Sequence, residues 1–149
     1  MTTVQRASEL FALAPRPSGS HLVDETWWAC SVPVPAFISV AAGHWEMVVT
    51  RQWGTARLTV RGPETRAMPM PIPQDAEFFG IRFSLGTFMP GLPPARLVDR
   101  AVTLPAVGGD SVRLAGRVLE LPRPDTVDGF VAALAAAGLL VHDPVVPHR

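Results

Sequence analysis

The chain contains no lysine and a single cysteine, and its 149 residues carry a formal net charge of zero. Because Cys30 has no second cysteine to pair with, an internal disulfide bond is excluded. A neutral chain whose basic residues form no clustered face lacks the electrostatic footprint that phosphate backbones require. We therefore expect no direct binding of nucleic acid by this chain.

Sequence patterns that would assign a compartment or a catalytic class are also missing. No window approaches the ~18 unbroken apolar residues of a membrane span, and residues 1–20 lack the basic start and apolar core of a signal peptide. There is no G-x-S-x-G nucleophile motif and no glycine-rich phosphate loop. We expect a cytoplasmic protein that does not contact membranes and that is not an enzyme.

The residues that are present indicate one compact, strand-rich domain. Apolar residues make up 48% of the chain and charged residues 17%, a composition that can bury one core at this length. The 16 prolines and 12 glycines separate short apolar runs. Such frequent interruption favours many short strands over long helices.

Alternation of apolar and polar residues is clearest over residues 55–61. There Ala56, Leu58 and Val60 share one face while polar side chains share the other, which is typical of a half-buried antiparallel strand. Further strands are predicted over residues 25–32, 37–42, 44–51 and 76–83. Prolines in residues 68–73 remove donors from a ladder, so that segment is predicted as an edge strand or a covering loop.

Helices are predicted on both sides of these strands. They cover residues 9–14 after a cap at Ser8, residues up to Leu121 after a cap at Asp110 or Ser111, and residues from Asp125 to a stop at Gly138. The chain is then organised as an N-terminal helix with a flexible segment (1–20), a β core (21–105) and a helical segment (106–149). The predicted fold is mainly β with α, an antiparallel barrel or sandwich followed by two C-terminal helices.

The most distinctive motifs lie in residues 76–105. A strand ends in GIRF (80–83), a glycine turn follows, and LPPARLVDR (92–100) comes next. HWEMVV (44–49) and VRGPET (60–65) precede them. Over residues 21–146 this order resembles the N-terminal sensor domain of AraC-type transcriptional regulators, where a G-[IV]-R-F-x-x-G strand end precedes L-P-x-x-x-L-x-D-R.

The resemblance implies a cupin-like β-barrel sensor core followed by a helical linker and dimerisation segment. It also implies a small-molecule effector, a homodimer, and DNA binding only through a helix-turn-helix domain that this chain does not include. No cofactor is expected. The function predicted from the resemblance is effector sensing and dimerisation within an AraC-like regulator.

Aromatic and apolar side chains on the predicted strands are the candidate ligand-binding residues. Trp28, Trp45, Met47, Phe79 and Phe83 are expected to line a barrel interior that takes a small apolar or aromatic ligand, with Glu46 and Arg82 as its polar part. Small barrels also fill their interiors with such side chains, so a packed core is the alternative. Arg82 can instead pair with Glu46 or Glu77 at the sheet.

Two other functions fit parts of the sequence. A small cupin-like enzyme would use His44 and Glu46, but a metal site needs three or four ligands, and the remaining histidines are not placed to supply them. We therefore expect no bound metal and a hydrogen-bonded, structural His44–Glu46 pair. An interaction domain with a solid core would offer the apolar residues 68–72 as its contact surface.

Overall fold

The computed structural model describes residues 5–6, 19–31, 36–39 and 43–143, with the backbone alone for 5–6, 36–39, 68–71, Pro94 and Pro105. The strands are β1 Gln5–Arg6, β2 Val23–Cys30, β3 Ala36–Ser39, β4 Glu46–Gln52, β5 Thr55–Arg61, β6 Met68–Pro71, β7 Ala76–Phe83, β8 Thr87–Phe88, β9 Ala101–Pro105, β10 Ser111–Leu114, β11 Arg117–Glu120 and β12 Val141–His142. The helices are α1 Pro94–Leu97 and α2 Val127–Ala136. The helix predicted after Ser8 lies outside the described residues.

The fold is mainly β, as predicted, and its centre is a five-stranded antiparallel sheet in the order β2-β7-β4-β5-β9. A three-stranded sheet, β1-β3-β6, and two strand pairs, β10-β11 and β12-β8, accompany it. None of these sheets closes into a barrel within the described part of the chain. The prediction of a mainly β antiparallel fold is therefore confirmed at the level of sheets.

Strands with strong alternation appear at the predicted positions. β5 and β7 have the predicted bounds, and β2 and β4 differ from theirs by one or two residues. The proline-containing β6 is an edge strand of the three-stranded sheet, paired only with β3, where missing N–H donors are tolerated.

The helix predicted over residues 111–121 is wrong, because these residues form the β10-β11 hairpin. Its two turn residues, Ala115 and Gly116, have φ of 50° and 80°, the left-handed values that a two-residue hairpin turn requires. Val112 and Leu114 are buried while Arg113 between them is exposed, a period of two that a helix cannot present. β9 is a further strand that the sequence patterns do not predict; it comes after β7 along the chain and pairs with β5 at the edge of the sheet.

The second predicted C-terminal helix is confirmed as α2. Its buried residues Phe130, Val131 and Leu134 lie on one side of the helix, and Gly138 has the φ of 75° that suits the end of a helix. The N-cap is Thr126 and not Asp125; the Thr126 hydroxyl accepts from the Arg123 N–H instead of capping α2. Between residues 106 and 143 the chain therefore forms a hairpin, one helix and the short strand β12.

One face of the five-stranded sheet, here called the apolar face, carries the main core. Met47 lies opposite both Val60 and Ile81 across the sheet, and Val49 lies opposite both Leu58 and Phe79. All six are at most 1% exposed. Residues of α2 and of the β10-β11 hairpin belong to the same buried cluster, so the hairpin and the helix complete this side of the domain.

The opposite face, here called the polar face, mixes charges with a small apolar cluster. Glu25, Arg82, Glu46 and Arg61 form one row across β2, β7, β4 and β5. Below that row, Val48, Ala76 and Phe78 are buried, with Trp27 partly buried against them. Period-two alternation thus sends the side chains of the same strands to two different environments.

Candidate functional site

Two of the motif segments contact each other beside β5. Gly62 lies so close to α1 that a Cβ on it would be 2.0 Å from the Leu97 carbonyl oxygen, and its N–H donates to the Arg100 carbonyl over 3.0 Å. The Asp99 N–H donates to the Pro63 carbonyl over 2.9 Å. The glycine of VRGPET is therefore required by the close approach of LPPARLVDR.

A carboxylate clasp joins the same two segments. Asp99 accepts from the Thr65 N–H at 2.8 Å and from the Thr65 hydroxyl at 2.5 Å. The Thr65 side-chain hydrogen bond, with the backbone one after it, lowers the pKa of Asp99, because both bonds favour the charged carboxylate. Asp99 and Thr65 thus hold the motif segments together.

The glycine of GIRF has an equally specific role on the polar face. A Cβ at Gly80 would lie 2.0 Å from Cε2 of Trp27, the residue directly opposite it on β2. The Trp27 indole therefore lies flat across β7 at the one position with no side chain. From there its Nε1–H donates to Oε1 of Glu46 over 3.3 Å.

Glu46 is the most unusual ionisable group of this face. Its second oxygen pairs with the Arg61 guanidinium at 3.4 Å, and its side chain retains 20% exposure. Burial raises the pKa of Glu46, against the lowering effects of Arg61, Trp27 and Arg82. A carboxylate held away from water, beside an indole and an arginine, is a group whose charge responds to what binds next to it.

The charged row continues on both sides of Glu46. Arg61 also contacts Glu64 at 3.3 Å. Arg82, which faces Glu46 in register, directs its guanidinium to Glu25 at 2.9 Å, with Asp24 at 4.0 Å. Arg82 therefore pairs with a carboxylate, as one prediction held, but its closest partner is on β2 and is neither Glu46 nor Glu77.

The candidate aromatic residues lie together on the apolar face. The rings of Trp45 and Phe83 stack with centroids 4.1 Å apart, and the Trp45 Nε1–H donates to the Thr87 carbonyl at 2.6 Å. Met47 and Phe79 are buried in the same cluster, and Trp28 packs partly buried against it. These five side chains therefore belong to, or pack against, one buried cluster.

The predicted polar part of that pocket is separated from it. Glu46 and Arg82 project from the polar face, whereas Trp28, Trp45, Met47, Phe79 and Phe83 project from the apolar face. Alternate residues of a strand point to opposite sides of the sheet, so one ligand cannot contact both groups on the same side. Trp28 has its own acceptor, Glu77 Oε1 at 2.9 Å.

The predicted hydrogen bond between His44 and Glu46 is not formed, because each side chain has other partners. The Nδ1 of His44 donates to the Phe83 carbonyl at 2.8 Å, and Glu46 bonds to Trp27 and Arg61. Among the described residues, no group of three histidine, cysteine or acidic side chains is arranged to hold a metal ion. The interaction surface predicted over residues 68–72 falls on residues whose side chains lie outside the described set, except Ile72, which is buried.

Sequence reasoning did not select Trp27 or Arg61 as site residues. A signal for both was present in the parity of the strands, since Trp27 alternates with Trp28, and Arg61 alternates with Val60. Any residue that alternates with a core residue belongs to the opposite face. That rule also separates Glu46 from Met47 and Arg82 from Phe83.

Comparisons with protein-family models, with curated proteins and with solved structures found no match to this chain. Throughout residues 19–31 and 43–143, no helix has the length and apolar character needed to cross a membrane. The site is therefore interpreted from its own residues and geometry.

Proposed function

We propose that this chain is the effector-sensing and dimerising domain of an AraC-like regulator, and that the effector binds on the polar face beside Trp27 and Glu46. The observation that carries the proposal is the Glu46 carboxylate, largely buried and held by an indole, on a face that the main core does not use. The motif resemblance supports the same function, because Gly80 of its GIRF segment leaves room for the Trp27 indole that bonds to Glu46.

The arrangement on the polar face suits a ligand with an apolar body and one polar end. Val48, Ala76 and Phe78 form an apolar floor with Trp27 at its side, and the charged row adjoins it. Ligand sites commonly combine a mainly apolar lining with a few oriented polar groups. The burial of this floor also supports a second layer over the face, as in the cupin-like arrangement that we propose for the domain.

The charges favour a cationic group on the effector. With Asp24 and Glu64, which contact Arg82 and Arg61, the row of Glu25, Arg82, Glu46 and Arg61 presents four carboxylates and two guanidiniums. An ammonium or amidinium group would meet an excess of negative charge there and an indole face suited to cations. We therefore expect an amine with an aromatic or branched aliphatic body.

The test begins with native mass spectrometry of the purified chain under gentle and then harsher desolvation. An organic adduct of sub-kilodalton mass without metal is expected. Arylalkyl amines and their neutral alcohol analogues are then compared by calorimetric titration. Amines should bind, and Glu46→Gln should weaken binding about tenfold or more, because a charge-assisted bond contributes about 1.5–3 kcal/mol.

Glu77→Gln is the matched control, since Glu77 also accepts from an indole N–H but does so for Trp28. It should leave binding unchanged. Equal binding of amines and alcohols, or equal losses in the two variants, would contradict the proposed site. A stoichiometric metal in the native spectrum would contradict the sensor function and favour a cupin-like enzyme.

A further inference from the structure

The five-stranded sheet ends in β9, and half of the backbone groups of this strand point away from the sheet. Gly62 donates to the Arg100 carbonyl and Ala106 donates to the Ala56 carbonyl, so the residues of β9 that bond to β5 are the even-numbered ones. Antiparallel ladders alternate in this way. The N–H and C=O groups of Ala101 and Thr103 therefore face outward.

No described strand pairs with this stretch of the edge. β10 reaches only its far end, where Ala106 bridges Val112 and the Val107 N–H donates to the Ser111 carbonyl. Residues 101–103 are exposed, and Val102 retains 38% of its surface. The edge is thus open over the three residues before β10 begins to cover it.

The open stretch itself carries no charged or proline side chain that would block strand pairing, and Pro105, at the next outward-facing position, ends it because proline has no N–H to donate. Natural edge strands are blocked by charged side chains, prolines or bulges, but Ala101, Val102 and Thr103 carry no charge and no proline. An unprotected edge of this kind recruits another strand. The Thr103 side chain bonds to Thr59 at 3.1 Å on the polar face, so it does not obstruct the backbone edge.

We propose that β9 is the dimerisation surface and that a second copy of this chain pairs with it antiparallel about a two-fold axis at Val102. In that register Ala101 pairs with Thr103 of the partner subunit, and all outward N–H and C=O groups of both residues are used. Val102 meets Val102 of the partner subunit at a Cβ separation of about 4.5–5.5 Å.

A second copy fits this edge better than a different strand for two reasons. The pattern of outward donors and acceptors is its own complement under two-fold rotation, and the register opposes no like charges, since Arg100 lies across from Leu104 of the partner subunit. The chain is also neutral overall, so two copies do not repel. This inference specifies the dimer of the proposed function and is independent of the effector site.

Sedimentation velocity on the full chain tests the proposal. The wild-type chain should dimerise, and Val102→Lys should weaken dimerisation at least about tenfold, because two ammonium groups would meet at the axis. Val118→Lys is the matched control, since Val118 is an exposed valine on β11. It should leave dimerisation unchanged, and thermal unfolding should verify that both variants are folded.

Amide hydrogen exchange provides a readout that does not need a variant. The amides of Ala101 and Thr103 should be protected in concentrated solution and should lose protection on dilution, whereas the Val102 amide, which bonds to β5, should be protected in both. A monomeric wild-type chain, equal dimers in both variants, or unprotected Ala101 and Thr103 amides in a dimer would each overturn the proposal. A monomer that binds an amine at Glu46 would overturn this inference while leaving the sensor site intact.

Discussion

The apolar and polar faces of the five-stranded sheet are built from alternate residues of the same strands, yet one packs a large apolar core and the other combines charged residues with a small apolar cluster. On the apolar face, Trp28 donates to Glu77 at the margin of a large core. On the polar face, Trp27 donates to Glu46 among arginines and above three buried apolar residues. Glu46 keeps only 20% of its side chain exposed, so the polar face bears a desolvation cost that the apolar face does not.

The largest expected difference between the faces comes from two neighbouring phenylalanines. Phe79→Ala should cost about 4 kcal/mol of unfolding free energy, because Phe79 is 1% exposed in the main core. Phe78→Ala, from the small polar-face cluster, should cost about half as much. Urea unfolding of both variants measures the difference, and equal costs would show that the polar-face cluster is as important to stability as the main core.

A close backbone approach allows the polar face to be disrupted selectively. Gly80→Ala should cost about 2–3 kcal/mol, because the new Cβ overlaps the Trp27 ring. In a double-mutant cycle with Trp27→Ala, the cost of Gly80→Ala should largely vanish. An additive cycle would mean that the indole does not lie over Gly80.

The charge of Glu46 should make the polar face sensitive to pH. Its pKa is raised in the folded state by burial, so the folded state binds the proton more tightly and stability falls as pH rises from the ordinary glutamate value of 4.5 through the folded pKa. Below that window the full contribution is present. Glu46→Gln should remove this fall, so the variant should gain on the wild type as pH rises in urea unfolding between pH 4 and 8. A constant difference between the two proteins across the window would contradict the raised pKa.

The smallest effect is expected at the exposed margin of the polar face. The hydroxyls of Thr59 and Thr103 bond at 3.1 Å in solvent, so Thr59→Val should change the unfolding free energy by about 0.5 kcal/mol or less. Thermal unfolding measures it. A loss as large as that of Phe78→Ala would show that this margin is covered and structurally important.

The sequence predicts strands well where alternation and turn chemistry agree, and poorly where they conflict. Trp53-Gly54 and Ala115-Gly116 are both two-residue hairpin turns with a left-handed first residue, at φ of 50° in each case. Clear alternation over residues 55–61 follows the first turn, so the strand after it is predicted correctly. Around the second turn, Val112, Ala115, Val118 and Leu119 also fit a helical stripe, and alanine is rarely found in that backbone conformation, so the sequence predicts a helix there.

The same alternation bears on the candidate ligand-binding residues. Parity alone assigns Glu46 and Arg82 to one face and the aromatic residues to the other. Register is a long-range property, however, and it decides which partners meet: Trp27 reaches Glu46 only because β7 lies between their strands and carries Gly80 at the crossing point. No local pattern in β2 or β4 contains that information.

The β8-β12 pairing is linked to the core through Thr87. The Asp143 N–H donates to the Gly86 carbonyl at 2.8 Å. Thr87, which follows Gly86 and begins β8, accepts from the Trp45 indole through its carbonyl. The Thr87 hydroxyl also contacts His142 Nδ1 at 3.1 Å. Thr87 therefore bonds both to the Trp45 indole in the core and to His142 of β12, so a substitution at Trp45 acts on the packing of the core and on the β8-β12 pairing at the same time.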